Sequence, residues 1–363
     1  MSKKLRIIPV ILVICMSLFI VMTGCVDKRE IEKPSFDFDG LGSAPPESIL
    51  EGITPLDENE ITLSEKESSD MEILDSASYI FRIANNNMQI VPYYASYAAG
   101  SGVADIKFGI SVRGSMELKQ ILIADGKEWY YLDAGEIVNV ESVSGSGKQT
   151  DINYMLSVVR PALDYATRYY TPDGKTFYYQ SGSSNCFKNK PRSMTNFFDP
   201  YTFNWNKVTD KWTKKFNFEE YMDYSNMRYS NRDLTAMDIR GEFLESASVK
   251  DNGEYYTASM TVKIDSEAMD LNKKNLNASG NRELSYKYQT LTIEVWKSGL
   301  IRRYYTTNGW EGIVVTSLNI KGSSDNNYDQ YFSYDKTLVN KLKMPPKDVL
   351  DDFFKACDEV AAK

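Results

Sequence analysis

Tyr255-Tyr256-Thr257-Ala258-Ser259-Met260-Thr261-Val262-Lys263-Ile264 is the stretch on which the fold turns. From Tyr256 on, the even positions are aromatic or apolar. The odd positions carry hydroxyls, a phenol and an ammonium. A period of two means a strand with one buried face and one wet face, the habit of antiparallel sheets. Asp251-Asn252-Gly253, just upstream, supplies the turn from a preceding strand.

Working outward, Leu291, Ile293 and Val295 repeat the alternation, and Lys297-Ser298-Gly299 turns the chain into Leu300–Thr306. Further strands are predicted at Ile313–Ile320 and Tyr328–Tyr334, with Pro345-Pro346 ending the sheet region. Upstream, Phe108, Ile110 and Val112 alternate, and Gly114 is expected to break that run. Leu118–Leu132 carries Asp125-Gly126 at its centre, a strong hairpin signal because both turn positions favour φ > 0. A turn on those two residues sets Leu122 opposite Trp129 and Ile121 opposite Tyr130.

Helices are fewer. Ser69 and Glu72 form a capping-box pattern ahead of Met71, Leu74, Ala77, Ile80, Phe81 and Ala84, so a helix is predicted over 70–90. Residues 152–170 show helical spacing interrupted by Pro161. A last helix is predicted over 347–361, with Val349, Leu350, Phe353, Phe354, Cys357 and Val360 on one stripe. The fold class expected is α+β: a large curved antiparallel sheet, half-barrel-like, of about nine strands, with a few packed helices.

Lys3, Lys4 and Arg6 precede an uncharged apolar run from Ile7 to Val21, and Thr23-Gly24 lead into Cys25. Basic, apolar, then small is the order of a secretory signal, and the run is short for a membrane span. The segment Leu18–Cys25 resembles the bacterial lipobox, with Met22 where Leu is usual. The resemblance implies cleavage before Cys25, diacylglyceryl modification of its sulfur with palmitate-type chains, and a lipid anchor facing outside the cytoplasm. The alternative is an uncleaved membrane helix ending near Cys25. Domains follow: a signal peptide at 1–24, a lipidated Cys and acidic flexible tether at 25–68, and one extracytoplasmic domain at 69–363. The tether is expected because residues 26–78 hold 15 Asp/Glu against 4 Lys/Arg, and four prolines fall before Ser69. Residues 171–233 read as an irregular insertion with a short helix near Phe218–Met222.

Net charge is -8 and no basic face is evident, so nucleic acid is not an expected partner. The chain contains no His, which excludes Ser-His-Asp and Cys-His catalysis and the usual zinc sites. Outside the leader, Cys186 and Cys357 accompany Cys25, and spacing alone leaves their pairing open. Gly145–Thr150 lacks the Walker spacing. Asp325, Asn327 and Asp329 lack the Gly and terminal Glu of a calcium loop, so a turn between strands is the simpler reading. Glu219-Glu220 and Asp351-Asp352 would point apart on a helix. No metal or cofactor is expected.

The Asp125–Tyr131 hairpin, Leu291–Trp296 with Gly299–Ile301, and Phe332–Asp335 resemble segments of bacterial lipoproteins with the LolA-like fold. That resemblance implies an unclosed curved sheet over an apolar cavity, with some members carrying lipids. Few helices on a broad sheet lead to an expected groove lined by Trp129, Met260, Val262, Ile293 and Val295. The expected function is a non-enzymatic carrier of a lipid-like ligand. The alternatives are an envelope scaffold or adhesin, whose aromatic surface would include Tyr201, Trp205 and Trp212, and a glycan-active enzyme with paired carboxylates.

Overall fold

The computed structural model describes residues 41–108, 110–144, 165–171, 176–182, 212–217, 237, 239–270, 282–315 and 320–342. Among them twelve strands form one open, wholly antiparallel sheet, with two α-helices: an α+β fold. In chain order these are β1 (Ser64–Ser68), α1 (Met71–Ile90), β2 (Tyr93–Phe108), β3 (Ile110–Asp125), β4 (Glu128–Ser144), β5 (Tyr165–Thr171) and β6 (Thr176–Gly182). β7 (Trp212–Asn217), β8 (Leu244–Asp251), β9 (Tyr255–Val262), β10 (Arg282–Trp296), β11 (Ile301–Val315), β12 (Ile320–Ser333) and α2 (Lys336–Leu342) follow. The sheet order is β1-β8-β9-β10-β11-β12-β2-β3-β4-β5-β6-β7. No helix among the described residues is long and apolar enough to cross a membrane.

Register decides which side chains share a face. The pairings Ala258↔Ile293 and Ile293↔Tyr304 carry the alternation of β9 across the sheet. Ala247, Val249, Tyr256, Ala258, Met260, Leu291, Ile293, Val295, Tyr304 and Phe332 thus share one core face, closed by Ile73, Leu74, Ala77, Ile80, Phe81, Ala84 and Met88 of α1. The helix forms where expected, but without the capping box. Asp70 is the N-cap and makes no side-chain cap, while the Ser68 hydroxyl accepts the Asp70 N–H at 3.0 Å.

Several expectations are corrected. Gly114 does not end a strand: β3 runs through it, and the break appears only as a register shift against β4. The hairpin at Asp125 closes one residue later than predicted, which moves each cross-strand partner by two. Asp125 pairs with Glu128, Ala124 with Trp129 and Ile123 with Tyr130, so Gly126-Lys127 make the turn. Gly126 sits at φ +61 and its N–H donates to the Pro92 carbonyl at 2.8 Å, which anchors the turn to the end of α1. Tyr165–Thr171 is a strand paired with β4, not the end of a helix. The helix expected at 347–361, residues 152–164, and Cys25, Cys186, Cys357, Tyr201 and Trp205 lie outside the described residues. Trp212 begins β7, opposite Gln180.

The largest correction concerns the tether. Residues 41–68 are a strap packed on the domain. Ile49, Ile53 and Leu56 are 2%, 9% and 7% exposed and belong to the core under α1. The Asn87 side chain, buried in α1, clamps the strap: its carbonyl accepts the Thr54 N–H at 3.0 Å, and its amide donates to the carbonyls of Thr54 (2.8 Å) and Gly299 (2.9 Å). Gly299, at φ +89, leaves the room this needs, since a Cβ there would strike the Thr54 carbonyl. The Leu56 N–H donates to the Lys297 carbonyl, and Lys297 Nζ reaches Glu58 at 2.8 Å. β1 then pairs with β8 at the sheet edge.

Candidate functional site

The five residues expected to line a groove are packed solid. Trp129, Met260, Val262, Ile293 and Val295 are at most 4% exposed and lie in the core cluster that α1 and the strap close. The sheet does present an apolar face, but Ile49, Ile53 and Leu56 supply the cover that the helices alone do not. Trp129 joins that core from the start of β4.

The other face of the sheet is the candidate binding surface. One row crosses six strands: Thr261, Thr290, Thr307, Asn327, Ser101 and Glu117 are successive cross-strand partners. All are half-buried. Hydrogen bonds knit the row: Thr290 and Thr307 hydroxyls lie 2.6 Å apart, the Asn327 amide donates to the Ser101 hydroxyl at 3.2 Å, and the Ser101 N–H donates to the Asn327 side-chain carbonyl at 3.3 Å. In the next row Ser259 and Thr292 share a hydrogen bond at 3.0 Å, and Tyr305 follows. Such pairs stabilise a sheet while leaving rotatable hydroxyls in water.

Below these rows lies a charged cluster. A register shift between Glu294 and Val295 inserts Arg302 as an extra residue opposite Glu294, beside Arg303. The bulge therefore aims two guanidiniums at one carboxylate. Arg302 bonds Glu294 and lies over the Tyr255 ring at 4.7 Å. Arg303 reaches Glu294 at 3.2 Å and grips Asp329 with two hydrogen bonds of 2.6 and 2.8 Å. Burial opposes the Arg303 charge, but the Asp329 bonds outweigh it and its pKa ends raised. Two buried carboxylates do converge here, and they converge on arginines. The cluster ties β10, β11 and β12 together.

Asp325, Asn327 and Asp329 stand at alternate positions of β12, not in a turn, and so share the outer face about 7 Å apart. Each has its own neighbour. Asp329 meets Arg303, Asn327 meets Ser101, and Asp325 occupies the space over Gly309, where a Cβ would strike its carboxylate. Among the described residues no group of three or more Asp, Glu, Cys or His is arranged to hold a metal ion. Alternation flags the outer positions, but Arg302 as the bulged residue leaves no mark in the sequence.

The tyrosines of this face titrate late. Burial pushes Tyr288 up to about 12 and raises Tyr305 and Tyr331 as well, with Asp329 adding to both. A tyrosine whose folded pKa is raised contributes stability that is full below its unfolded value, near pH 10, and lost as pH rises through the folded value. Ultraviolet titration of the folded chain is expected to leave a group of tyrosines unionised above about pH 10, and stability should fall between about pH 10 and 12. Complete ionisation at about pH 10 with the fold intact would show that these rings are open to water.

No protein-family model matches the chain. No curated protein matches it either.

Proposed function

We propose that the chain is a lipid-anchored extracytoplasmic scaffold or adhesin without catalytic activity, and that it engages a polar cell-envelope polymer through the outer face of its sheet. The observation that carries this is the filled core: the apolar face expected to hold a ligand is occupied by the chain's own strap and helix. On β9 to β12 the other face presents Thr, Ser, Asn and Tyr, the residue types that give adaptable hydrogen bonding and rigid contact area at recognition surfaces. At the α2 end of β2 and β3 that face is instead closed over Ala95, Tyr97, Ile121 and Ile123. The lipobox-like segment ending at Cys25 supports attachment to the membrane through a diacylglyceryl group. The resemblance to LolA-like carriers supports the same location. The filled core argues against the same cargo in the same place.

The test has two arms. In cells, Cys25→Ser should release the chain from membranes or leave it as the uncleaved precursor; retention like the wild type overturns the anchor. In vitro, a soluble chain starting at Leu41 should co-sediment with purified cell-wall sacculi. Thr290→Lys with Thr307→Lys sets two like charges side by side in the central row, where they would be left unpaired at the contact. That variant should bind about tenfold more weakly, equivalent to about 1.4 kcal/mol. It should stay folded, its stability lowered only by the roughly 1 kcal/mol that like charges on one cross-strand pair cost. Equal binding by both proteins, or none by the wild type, sinks the reading of this face.

A further inference from the structure

Beside α1 the surface folds into a recess of about 460 Å3, well away from the outer face of the sheet. Its apolar lining is Phe81 and Ile83 from the helix and Met237 and Ile239 from the segment leading into β8. Ile83 is half-buried, and Phe81, Met237 and Ile239, at 3%, 7% and 2% exposed, show only their edges. Tyr79 walls one end, and its hydroxyl accepts the Asp57 N–H of the strap at 3.0 Å. Arg82, Asn85 and Asn86 form the rim. This volume lies within the usual range for small-molecule sites.

Two features of the rim favour an occupant. The first is Arg82. It is the one charged residue between Tyr79 and Ile90, and the chain as a whole is acidic. With carboxylates abundant elsewhere, Arg82 is nonetheless exposed and makes no hydrogen bond or ion pair among the described residues. The second is the run Asn85-Asn86-Asn87 in a helix interior, where Asn is a poor choice because its amide competes with the backbone. Asn87 is explained by its clamp on Thr54 and Gly299. The clamp does not reach Asn86, whose amide stands at the recess one helical turn beyond Arg82, on the same flank.

We infer that this recess binds a small anionic amphiphile, its apolar body on Phe81, Ile83, Met237 and Ile239 and its carboxylate or sulfonate at Arg82 and Asn86. A fork of guanidinium donors beside an amide suits a planar anion. The short apolar lining suits one acyl chain or aryl group rather than a polymer. This site goes beyond the surface reading above and does not depend on it.

The experiment uses the full chain in nanodiscs, with empty nanodiscs as control, and a diazirine-bearing decanoate as photo-crosslinking probe below its micellar concentration. Peptide mapping is expected to place the labels within 79–86 and 237–239. The corresponding decanol should label these peptides at least fivefold less. Arg82→Gln should reduce acid labelling at least fivefold, Arg82→Lys, which keeps the charge without the fork, should retain an intermediate level, and Ile83→Trp should block it by filling the recess. Melting curves of the three variants are compared with the wild type, and Arg82→Lys against Arg82→Gln decides the matter if Ile83→Trp proves unstable. Labels scattered along the chain, equal labelling by acid and alcohol, or equal labelling of wild type and Arg82→Gln overturns the proposal.

Discussion

A chain that begins at Ser69 is expected to melt far below one that begins at Leu41, and to expose its core to dye at room temperature. Ile49, Ile53 and Leu56 leave with the strap, and each fully buried side chain of that size contributes about 1.5–3 kcal/mol. That estimate is an upper one, because unfolded chains already bury part of their apolar surface. Even discounted, the sum is comparable with the whole stability of an ordinary domain, about 5–15 kcal/mol. Asn87 makes matters worse. Two of its three bonds go to Thr54, and a buried amide left without partners costs about 1–3 kcal/mol more. The Tyr79 hydroxyl and the Lys297 ammonium also lose partners in the strap. Removal of residues 1–40, by contrast, should leave the transition where it was. Denaturant melts of the two truncations decide the point. Coincident midpoints would mean that the strap only rests on the surface.

The strap also shows where the sequence stopped being legible. Its composition is that of a disordered tether, with acids, prolines and few apolar residues. Composition averages over a segment, whereas burial is decided residue by residue: three apolar side chains suffice when they fall over the open end of a sheet. The same averaging lies behind the expected groove. The strands around Met260 and Ile293 were recognisable by their period, and so was the helix above them. The count of helices then implied an uncovered face, because no local pattern announced that an acidic segment would cover it. The hairpin at Asp125 failed differently. Asp-Gly marks a turn, but which two residues occupy it was settled by the Pro92 carbonyl, more than 30 residues away, accepting the Gly126 N–H. A turn displaced by one residue moves each partner by two, so parity survives and the pairs still share faces of β3 and β4 as expected. On the outer face, alternation predicted that Thr257, Ser259 and Thr261 look outward. It said nothing of Arg302 and Arg303 meeting one glutamate, since a bulge is a property of two strands together.

That bulge carries the other large expected effect. Arg303→Met should cost about 3–5 kcal/mol, because it strips the guanidinium from a carboxylate that has little access to water. Asp329 is 3% exposed, and both of its side-chain oxygens are held by Arg303. Glu294 would suffer less, since Arg302 still reaches it from the bulged position. Replacing both partners, Arg303→Met with Asp329→Asn, removes the buried charge together with its counter-ion. The double variant should therefore be more stable than Arg303→Met alone, with a coupling of about 2–3 kcal/mol in the cycle. Salt separates this pair from the surface ones. The half-exposed bridge of Lys297 to Glu58 should weaken as ionic strength rises, whereas the Arg303–Asp329 pair is screened much less. The cluster joins β10, β11 and β12, the strands that carry Thr290, Thr307 and Asn327, so its loss should loosen the hydroxyl row before the core under α1 opens. Hydrogen exchange on Arg303→Met is expected to speed first at the amides of these three strands and only later in α1. Uniform acceleration in sheet and helix, or additive energies in the cycle, would mean that the arginine cluster decorates the surface and does not hold it.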